Sequence, residues 1–88
     1  MFERHIFRLA GGEARSFLQG LVTNDVNGIE AGLVYAALLT PQGKYMADFF
    51  LSAAESGDVL LDASAAQADM LRTRLNMYKL RADVMISD

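Results

Sequence analysis

The sequence lacks several residue types that build reactive or cross-linked sites: its 88 residues include no cysteine, no tryptophan, one proline and one histidine. Without cysteine, these residues cannot form a disulfide framework, a thiolate metal site or a thiol nucleophile. The single histidine, His5, cannot build a metal site unless several carboxylates lie near it. We therefore predict no metal site.

Basic clusters and long hydrophobic runs are also absent from the sequence. The formal net charge is -3, and Lys and Arg are not gathered into one block as they are in proteins that bind a phosphate backbone. No apolar run approaches the roughly 18 residues of a membrane span, and the first residues, MFERHIFRL, show neither a signal core nor a transit pattern. The sequence therefore predicts a cytoplasmic protein without direct contacts to nucleic acid or membrane.

Hydrophobic residues make up 52% of the chain and charged residues 22%, a balance that is typical of one small globular domain. The most apolar segment covers residues 32–52, GLVYAALLTPQGKYMADFFLS. Its two apolar runs flank a turn in which Pro41 suits position i+1 and Gly43 permits a positive φ. This pattern predicts a β-hairpin with a glycine bulge.

Hydrophobic periodicity predicts the elements on either side of the hairpin. A short strand over His5–Leu9 precedes a helix that begins near Glu13 and ends before Thr23. The apolar stripe of this helix consists of Ala14, Phe17, Leu18 and Leu21. Beyond the hairpin, Val59–Leu61 forms a further short strand.

A second helix and a last strand complete the predicted domain. Ser64 and Gln67 match a capping box that opens the helix, and its apolar stripe consists of Ala68, Leu71, Leu75 and Tyr78. Alternation over Asp83–Ser87 predicts the last strand. The order strand, helix, three strands, helix, strand predicts an α+β domain with two helices on one face of a largely antiparallel sheet.

Asp48 interrupts the second apolar run of the hairpin. By the two-residue period of a strand it shares a face with Met46 and Phe50. A carboxylate in a largely apolar cavity, with its pKa tuned by desolvation, can position a ligand and manage protons. The alternative is an Asp on the wet face of an edge strand or one that accepts hydrogen bonds from a loop, since unpaired Asp is rarely buried.

Three segments, taken in order, resemble one known family. They are LQGLVTNDV at 18–26, GLVYAALLTPQGKYMADFFL at 32–51 and LNMYKLRADV at 75–84. Together with a G-x-[DE]-A helix start at Gly11, they are similar to the amino-terminal part of the YgfZ/GcvT folate-binding family. This family includes the glycine-cleavage T-protein, an aminomethyltransferase, and YgfZ-type proteins that support iron–sulfur enzymes.

Within that family the sequence resembles the YgfZ branch more closely. The T-protein branch typically has Gly-Gly and then two adjacent acids, where this sequence has Gly43-Lys44 and Ala47-Asp48, so one acid of two is lost. The YgfZ branch also has a Lys-Gly-Cys-Tyr-x-Gly-Gln-Glu motif, expected downstream of Asp88. The resemblance implies that residues 1–88 are a single domain, the amino-terminal fragment of a longer folate-binding protein with a central folate pocket between domains.

The resemblance implies tetrahydrofolate as the cofactor and Asp48 as the catalytic and binding candidate beside the pterin ring. Asn24, Tyr35 and Arg81 are further binding candidates. Each has a structural alternative: Asn24, with Thr23 and Asp25, suits a helix cap and turn, and Arg81, with Lys79, suits a helix end as well as the glutamate tail of folate. The aromatic residues of the hairpin could stack on a pterin but belong to the core more often; they are Tyr35, Tyr45, Phe49 and Phe50.

Two function classes follow from the resemblance. The first is a tetrahydrofolate-binding accessory protein of iron–sulfur cluster assembly or repair, whose partners are iron–sulfur proteins, their assembly factors and the remaining domains of the parent chain. The second is an aminomethyltransferase that moves a one-carbon unit from a lipoyl-bound intermediate to tetrahydrofolate. A third alternative is a structural fragment that is inactive alone. Because the pocket would lie between domains, we expect no tight folate binding by residues 1–88 alone.

Overall fold

The computed structural model describes residues 3–40, 42–79 and 81–87. The strands and α-helices, in chain order, are β1 (Arg4–Ala10), α1 (Ala14–Gln19), β2 (Val34–Leu39), β3 (Tyr45–Ala53), β4 (Val59–Ser64), α2 (Ala68–Lys79) and β5 (Met85–Ser87). Short 3-10 helices occupy Val26–Glu30 and Ala65–Gln67. Within the described ranges, no helix has the length and apolar character needed to cross a membrane.

All strands join one five-stranded sheet in the order β2-β3-β4-β1-β5. Every neighbouring pair is antiparallel. β2, β3 and β4 form a meander, and β1 enters the sheet between β4 and β5. The predicted α+β class, the antiparallel sheet and the order of strands and α-helices are confirmed.

The two sides of the sheet differ because successive side chains of a strand point to opposite faces. One side, the core face, packs against α1, α2 and the first 3-10 helix. The buried cluster contains Phe7, Leu9, Ala14, Leu18, Val26, Ile29, Ala36, Leu38, Ala47, Phe49, Leu51, Val59, Leu61, Ala63, Ala68, Leu71, Leu75 and Val84. The other side, the open face, carries Arg4, Ile6, Arg8, Tyr35, Ala37, Asp48, Phe50, Ser52, Leu60, Asp62 and Met85. In the described part of the chain, no helix covers the open face.

The β2–β3 turn has the expected glycine. Gly43 has a φ of 85°, and its amide donates to the Thr40 carbonyl at 2.8 Å. The Thr40 amide donates to the Lys44 carbonyl at 2.7 Å, the arrangement of a glycine bulge. Pro41, which the sequence places in this turn, lies outside the described residues. The hairpin and the positive φ of Gly43 are confirmed.

A second irregularity lies one step further along the hairpin. Leu38 pairs with Ala47, whereas Leu39 pairs with Tyr45, so Met46 is an extra residue on β3. Such a bulge interrupts the two-residue alternation of side chains. The sequence did not predict this bulge, and it changes the surroundings of Asp48.

α1 is shorter than predicted, because it ends at Gln19 instead of continuing toward Thr23. After Gly20, the chain turns to run along the outer edge of β2. The Thr23 amide donates to the Ala37 carbonyl at 3.1 Å, and the Thr23 hydroxyl accepts from the Ala37 amide at 3.1 Å. Residues 21–24 therefore satisfy backbone groups at an edge that would otherwise be open to strand pairing.

One further element was not predicted from the sequence, and one predicted helix cap is absent. The segment after Asp25 forms a 3-10 helix in which Val26 and Ile29, three residues apart, are both buried. The Asp25 carboxylate caps it by accepting from the Asn27 amide at 3.0 Å. The predicted capping box is wrong: Ser64 makes no side-chain cap hydrogen bond, since a 3-10 turn intervenes before α2 begins at Ala68.

A polar clamp joins the loop before α1 to the loop before β5. The Glu13 amide donates to the Asp83 carbonyl at 3.1 Å, and the Asp83 amide donates to Glu13 Oε1 at 3.1 Å. The Gly12 amide donates to Asp83 Oδ2 at 3.1 Å. Gly11 has a φ of 109° and packs so closely that a Cβ there would collide with the Asp83 carbonyl. The G-x-[DE]-A start and the Asp83 segment thus hold these two loops together.

Candidate functional site

Asp48 lies in the middle of β3 on the open face, with its side chain half-buried. Its shared face with Phe50 is confirmed. The shared face predicted for Met46 is wrong, because Met46 is the extra residue of the bulge and packs against the core cluster. Tyr35, on the neighbouring strand β2, donates its hydroxyl to Asp48 Oδ2. Asp48 is therefore neither in the core nor on an edge strand: it is held on an open sheet surface by a phenol.

The hydrogen bond between these residues shifts the pKa values of both. The Tyr35 hydroxyl is the largest influence on Asp48 and lowers the pKa of its carboxyl, while partial desolvation acts in the opposite direction. The same hydrogen bond raises the pKa of Tyr35 above the ordinary 10.0 of a phenol. At neutral pH, Asp48 is a carboxylate and Tyr35 a neutral donor. The expectation that desolvation controls the pKa of Asp48 is wrong for these residues.

Tyr45 is a second phenol near Asp48, and strand alternation alone would place it on the opposite side of the sheet. The bulge at Met46 breaks the alternation, and Tyr45 is close enough to Asp48 to lower the pKa of its carboxyl. Desolvation and then the charge of Asp48 raise the pKa of Tyr45. The sequence offered Tyr45 as a possible stacking residue but did not predict its position beside Asp48.

An aromatic surface lies beside the carboxylate. The rings of Tyr35 and Phe50 are 5.4 Å apart between centroids and tilted by 56°. The Arg4 guanidinium lies 5.9 Å from the Phe50 centroid, and Arg4 Nε is 2.9 Å from Asp62 Oδ1. The core interpretation is confirmed for Phe49, which is buried, and is wrong for Tyr35, Tyr45 and Phe50, which are exposed.

The other two predicted binding residues have different positions. Asn24 Nδ2 donates to the Tyr35 carbonyl at 3.2 Å, and Asn24 Oδ1 accepts from the Asp25 amide at 2.8 Å, so its side chain shapes the turn beside β2. Arg81 is exposed and follows α2, which packs on the core face. Asp48 and Tyr35 lie on the opposite face. The structure brings Asp48 and Tyr35 together, places Asn24 beside the Tyr35 backbone and leaves Arg81 apart.

Two clefts of the described residues lie away from this group. One has a volume of about 580 Å³ and is lined by residues of α1 and the first 3-10 helix, including Arg15 and Ser16. The other has a volume of about 560 Å³ and lies between the end of α1, the β2–β3 turn and Tyr78. Neither is lined by Asp48 or Tyr35. The Asp48 group combines an ionised acceptor with exposed rings, a combination that both clefts lack.

The Asp48 group can bind a flat ligand that carries N–H donors. An ionised carboxylate forms strong hydrogen bonds with such donors, and exposed rings of Tyr35 and Phe50 provide a surface for stacking. Because its pKa is lowered, Asp48 is suited to accept hydrogen bonds or to stabilise positive charge, and poorly suited to act as a general acid at neutral pH.

Comparison with known proteins supports the resemblance at a coarse level. No protein-family model matches the chain. The chain is similar to proteins named iron–sulfur cluster assembly factor IBA57 homolog, mitochondrial. One from Pyricularia oryzae is 35% identical over 83 residues, covering 90% of this chain and 21% of the relative. One from Mycosarcoma maydis is 31% identical over 98 residues, covering 97% of this chain and 24% of the relative. The chain thus spans about a fifth to a quarter of the length of these relatives.

The names of the relatives overturn the predicted compartment. A Neurospora crassa relative, 30% identical over 86 residues, is also named as mitochondrial. The prediction of a cytoplasmic protein is contradicted by these names. It rested on the absence of a transit pattern, and a removable leader is separate from the folded domain, whose sequence therefore carries little information about the compartment.

Proposed function

We propose that the protein containing these residues supports iron–sulfur cluster assembly in mitochondria and holds tetrahydrofolate against Asp48 on the open face. The relatives' names support the first part. The observation that carries the second is the ionised Asp48 carboxylate, held by the Tyr35 hydroxyl beside exposed aromatic rings. The partners of the whole protein would be iron–sulfur proteins or their assembly factors.

The residues present fit a pterin ring. A pterin is flat and carries N–H groups, which suit the free acceptor capacity of the Asp48 carboxylate. Tyr35 fixes the orientation of that carboxylate and, with Phe50, provides the stacking surface. When bound, tetrahydrofolate would supply nitrogens that carry one-carbon units, and Asp48 would stabilise positive charge on them.

A genetic replacement tests the iron–sulfur role and, separately, the contribution of Asp48 to it. In cells from which the gene has been deleted, the natural polypeptide should restore the activity of mitochondrial iron–sulfur enzymes, and its Asp48→Asn variant should restore much less. Asp69→Asn is the matched control, because Asp69 is a fully exposed carboxylate on α2. Failure of the wild type to restore activity would contradict the iron–sulfur role. Equal rescue by wild type and Asp48→Asn would leave that role intact and remove Asp48 from the site.

A further inference from the structure

A cleft on the helix side of the sheet is separate from the proposed tetrahydrofolate site. It has a volume of about 560 Å³ and lies between the end of α1, the β2–β3 turn and Tyr78 of α2. Leu21, Val22 and Leu39 contribute apolar side chains to its lining. A cleft of this size can admit a small ligand or a large side chain. Because Asp48 lies on the open face of the sheet, an occupant of the cleft would not compete with a pterin.

The charged residues around this cleft all have the same sign. The segments that contribute to it are residues 18–22, 39–44 and 74–79. They contain no acidic residue, although the whole chain has 11 acidic and 8 basic residues. The basic residues of these segments are Lys44, Arg74 and Lys79. In the described part of the chain, no carboxylate pairs with Lys44 or Arg74, so both charges are available to an occupant.

Lys44 and Arg74 adjoin two different sides of the cleft. Lys44 is exposed and follows Gly43, which lines the cleft at the β2–β3 turn. Arg74 precedes Tyr78 by four residues on α2, and residues at this spacing lie on the same side of a helix. Met77, beside Tyr78, is 50% exposed. The cleft therefore has an apolar lining between two cations.

This arrangement is typical of an interface between proteins. Tyr, Met and Arg are enriched at such interfaces, and a polar rim surrounds an apolar centre. Unpaired cations select the sign of the partner, because opposite charges accelerate association and like charges oppose it. We propose that the cleft binds an acidic segment of a partner protein, which places one apolar side chain in the cleft and carboxylates beside Lys44 and Arg74. The proposal is independent of tetrahydrofolate binding, since it rests on the cleft and its charges.

Fluorescence anisotropy with synthetic peptides tests the proposal on the natural polypeptide. The probes are fluorescein-labelled peptides that have Leu, Met, Phe or Tyr at the centre and Glu and Asp on both sides. One set of control peptides has Ser at the centre, and another has Gln and Asn in place of the acids. We expect saturable binding of the acidic peptides that weakens as salt is added. Replacing the central apolar residue by Ser should weaken it by about tenfold or more.

Substitutions in the protein test the two cations. Lys44→Gln and Arg74→Gln should each weaken binding by about threefold to fivefold, and the double variant by about tenfold. Arg72→Gln is the matched control, because Arg72 is an arginine of the same helix whose charge is already paired with Asp69 at 2.8 Å. We expect the affinity of Arg72→Gln to equal that of the wild type.

Several results would overturn the proposal. They are the absence of saturable binding by every acidic peptide, equal binding of the uncharged peptides, and an equal loss of affinity in Arg72→Gln. Binding by the 88-residue chain but not by the natural polypeptide would show that another part of the same polypeptide occupies the cleft. Tighter binding to vesicles of phosphatidylcholine and phosphatidylglycerol, weakened by Lys44→Gln and Arg74→Gln, would assign the two cations to a membrane surface instead.

Discussion

Tyr35 lowers the pKa of Asp48, and this pair is the centre of the proposed site. A hydroxyl that donates to a carboxylate stabilises the charged form. Because the pKa of Asp48 is lowered in the folded protein, the contribution of this pair to stability is complete above the ordinary Asp pKa of 3.8. It is lost as the pH falls through the lower pKa of the folded state. The raised pKa of Tyr35 has the opposite sign, so its contribution is present below the ordinary value of 10.0 and is lost at higher pH.

Removal of the Tyr35 hydroxyl should therefore raise the pKa of Asp48. We expect Tyr35→Phe to shift the titration midpoint of the Asp48 carboxyl upward, as measured by NMR of the side-chain carboxyl carbon across acid pH. Tyr45→Phe should shift it upward less, because Tyr45 has a smaller influence on Asp48 than Tyr35. An unchanged midpoint in Tyr35→Phe would show that the hydrogen bond does not control this carboxyl.

Sequence patterns predicted part of this residue cluster. The two-residue period was enough to place Asp48 with Phe50, because β3 is regular between them. The position of Tyr45 beside Asp48 was missed because the extra residue Met46 breaks that period, and bulges leave little signal in hydrophobicity. The exposure of Tyr35 and Phe50 was missed because strand aromatics usually pack in the core.

Two loops that are distant in sequence stabilise the helices and the sheet through one clamp. The segment that begins at Gly11 and the loop at Asp83 exchange hydrogen bonds through Glu13 and Gly12. Local periodicity could not predict this contact, since it joins residues about 70 positions apart. α1 was also predicted too long, because its end depends on a contact with another part of the chain. After Gln19 the chain leaves the helix and bonds the edge of β2.

The clamp predicts different effects for two glycines with similar backbone conformations. Gly11 and Gly57 have φ values of 109° and 93°, so alanine is strained at both, by about 1–2 kcal/mol. At Gly11 the added Cβ would also collide with Asp83, whereas Gly57 has open space. Gly11→Ala should therefore reduce the free energy of unfolding by more than about 2 kcal/mol, and Gly57→Ala by less, as measured by urea denaturation. Equal losses would contradict the close contact at Gly11.

At the edge of β2, a side-chain hydroxyl satisfies a backbone amide. The Thr23 hydroxyl accepts from the Ala37 amide, and Thr23→Val keeps the shape but removes the acceptor. We expect a loss of about 1 kcal/mol in the free energy of unfolding. Thr73→Val on the exposed side of α2 is the control and should change stability by less than about 0.5 kcal/mol. A smaller loss for Thr23→Val than for Thr73→Val would show that water replaces the lost acceptor.

At the scale of the whole molecule, residues 1–88 form only one side of the candidate ligand site. Asp48, Tyr35 and Phe50 lie on an open surface instead of in an enclosed cavity. We therefore expect residues 1–88 alone to bind tetrahydrofolate weakly. Titration calorimetry of the short chain is the measurement, and a saturable low-micromolar isotherm, on the order of 8 kcal/mol of binding free energy, would show that the site is complete in these residues.

The most direct test of the proposed site compares wild type and Asp48→Asn in the natural polypeptide, with thermal melts and tetrahydrofolate titrations on the same samples. Asparagine keeps the size of the side chain but loses the charge, so it accepts weaker hydrogen bonds from a pterin. We predict a small fall in melting temperature, because the charge of Asp48 no longer accepts the Tyr35 hydroxyl, and a loss of about tenfold or more in affinity for tetrahydrofolate. A lower melting temperature with unchanged affinity would contradict the account, because Asp48 would then serve the fold and not the ligand.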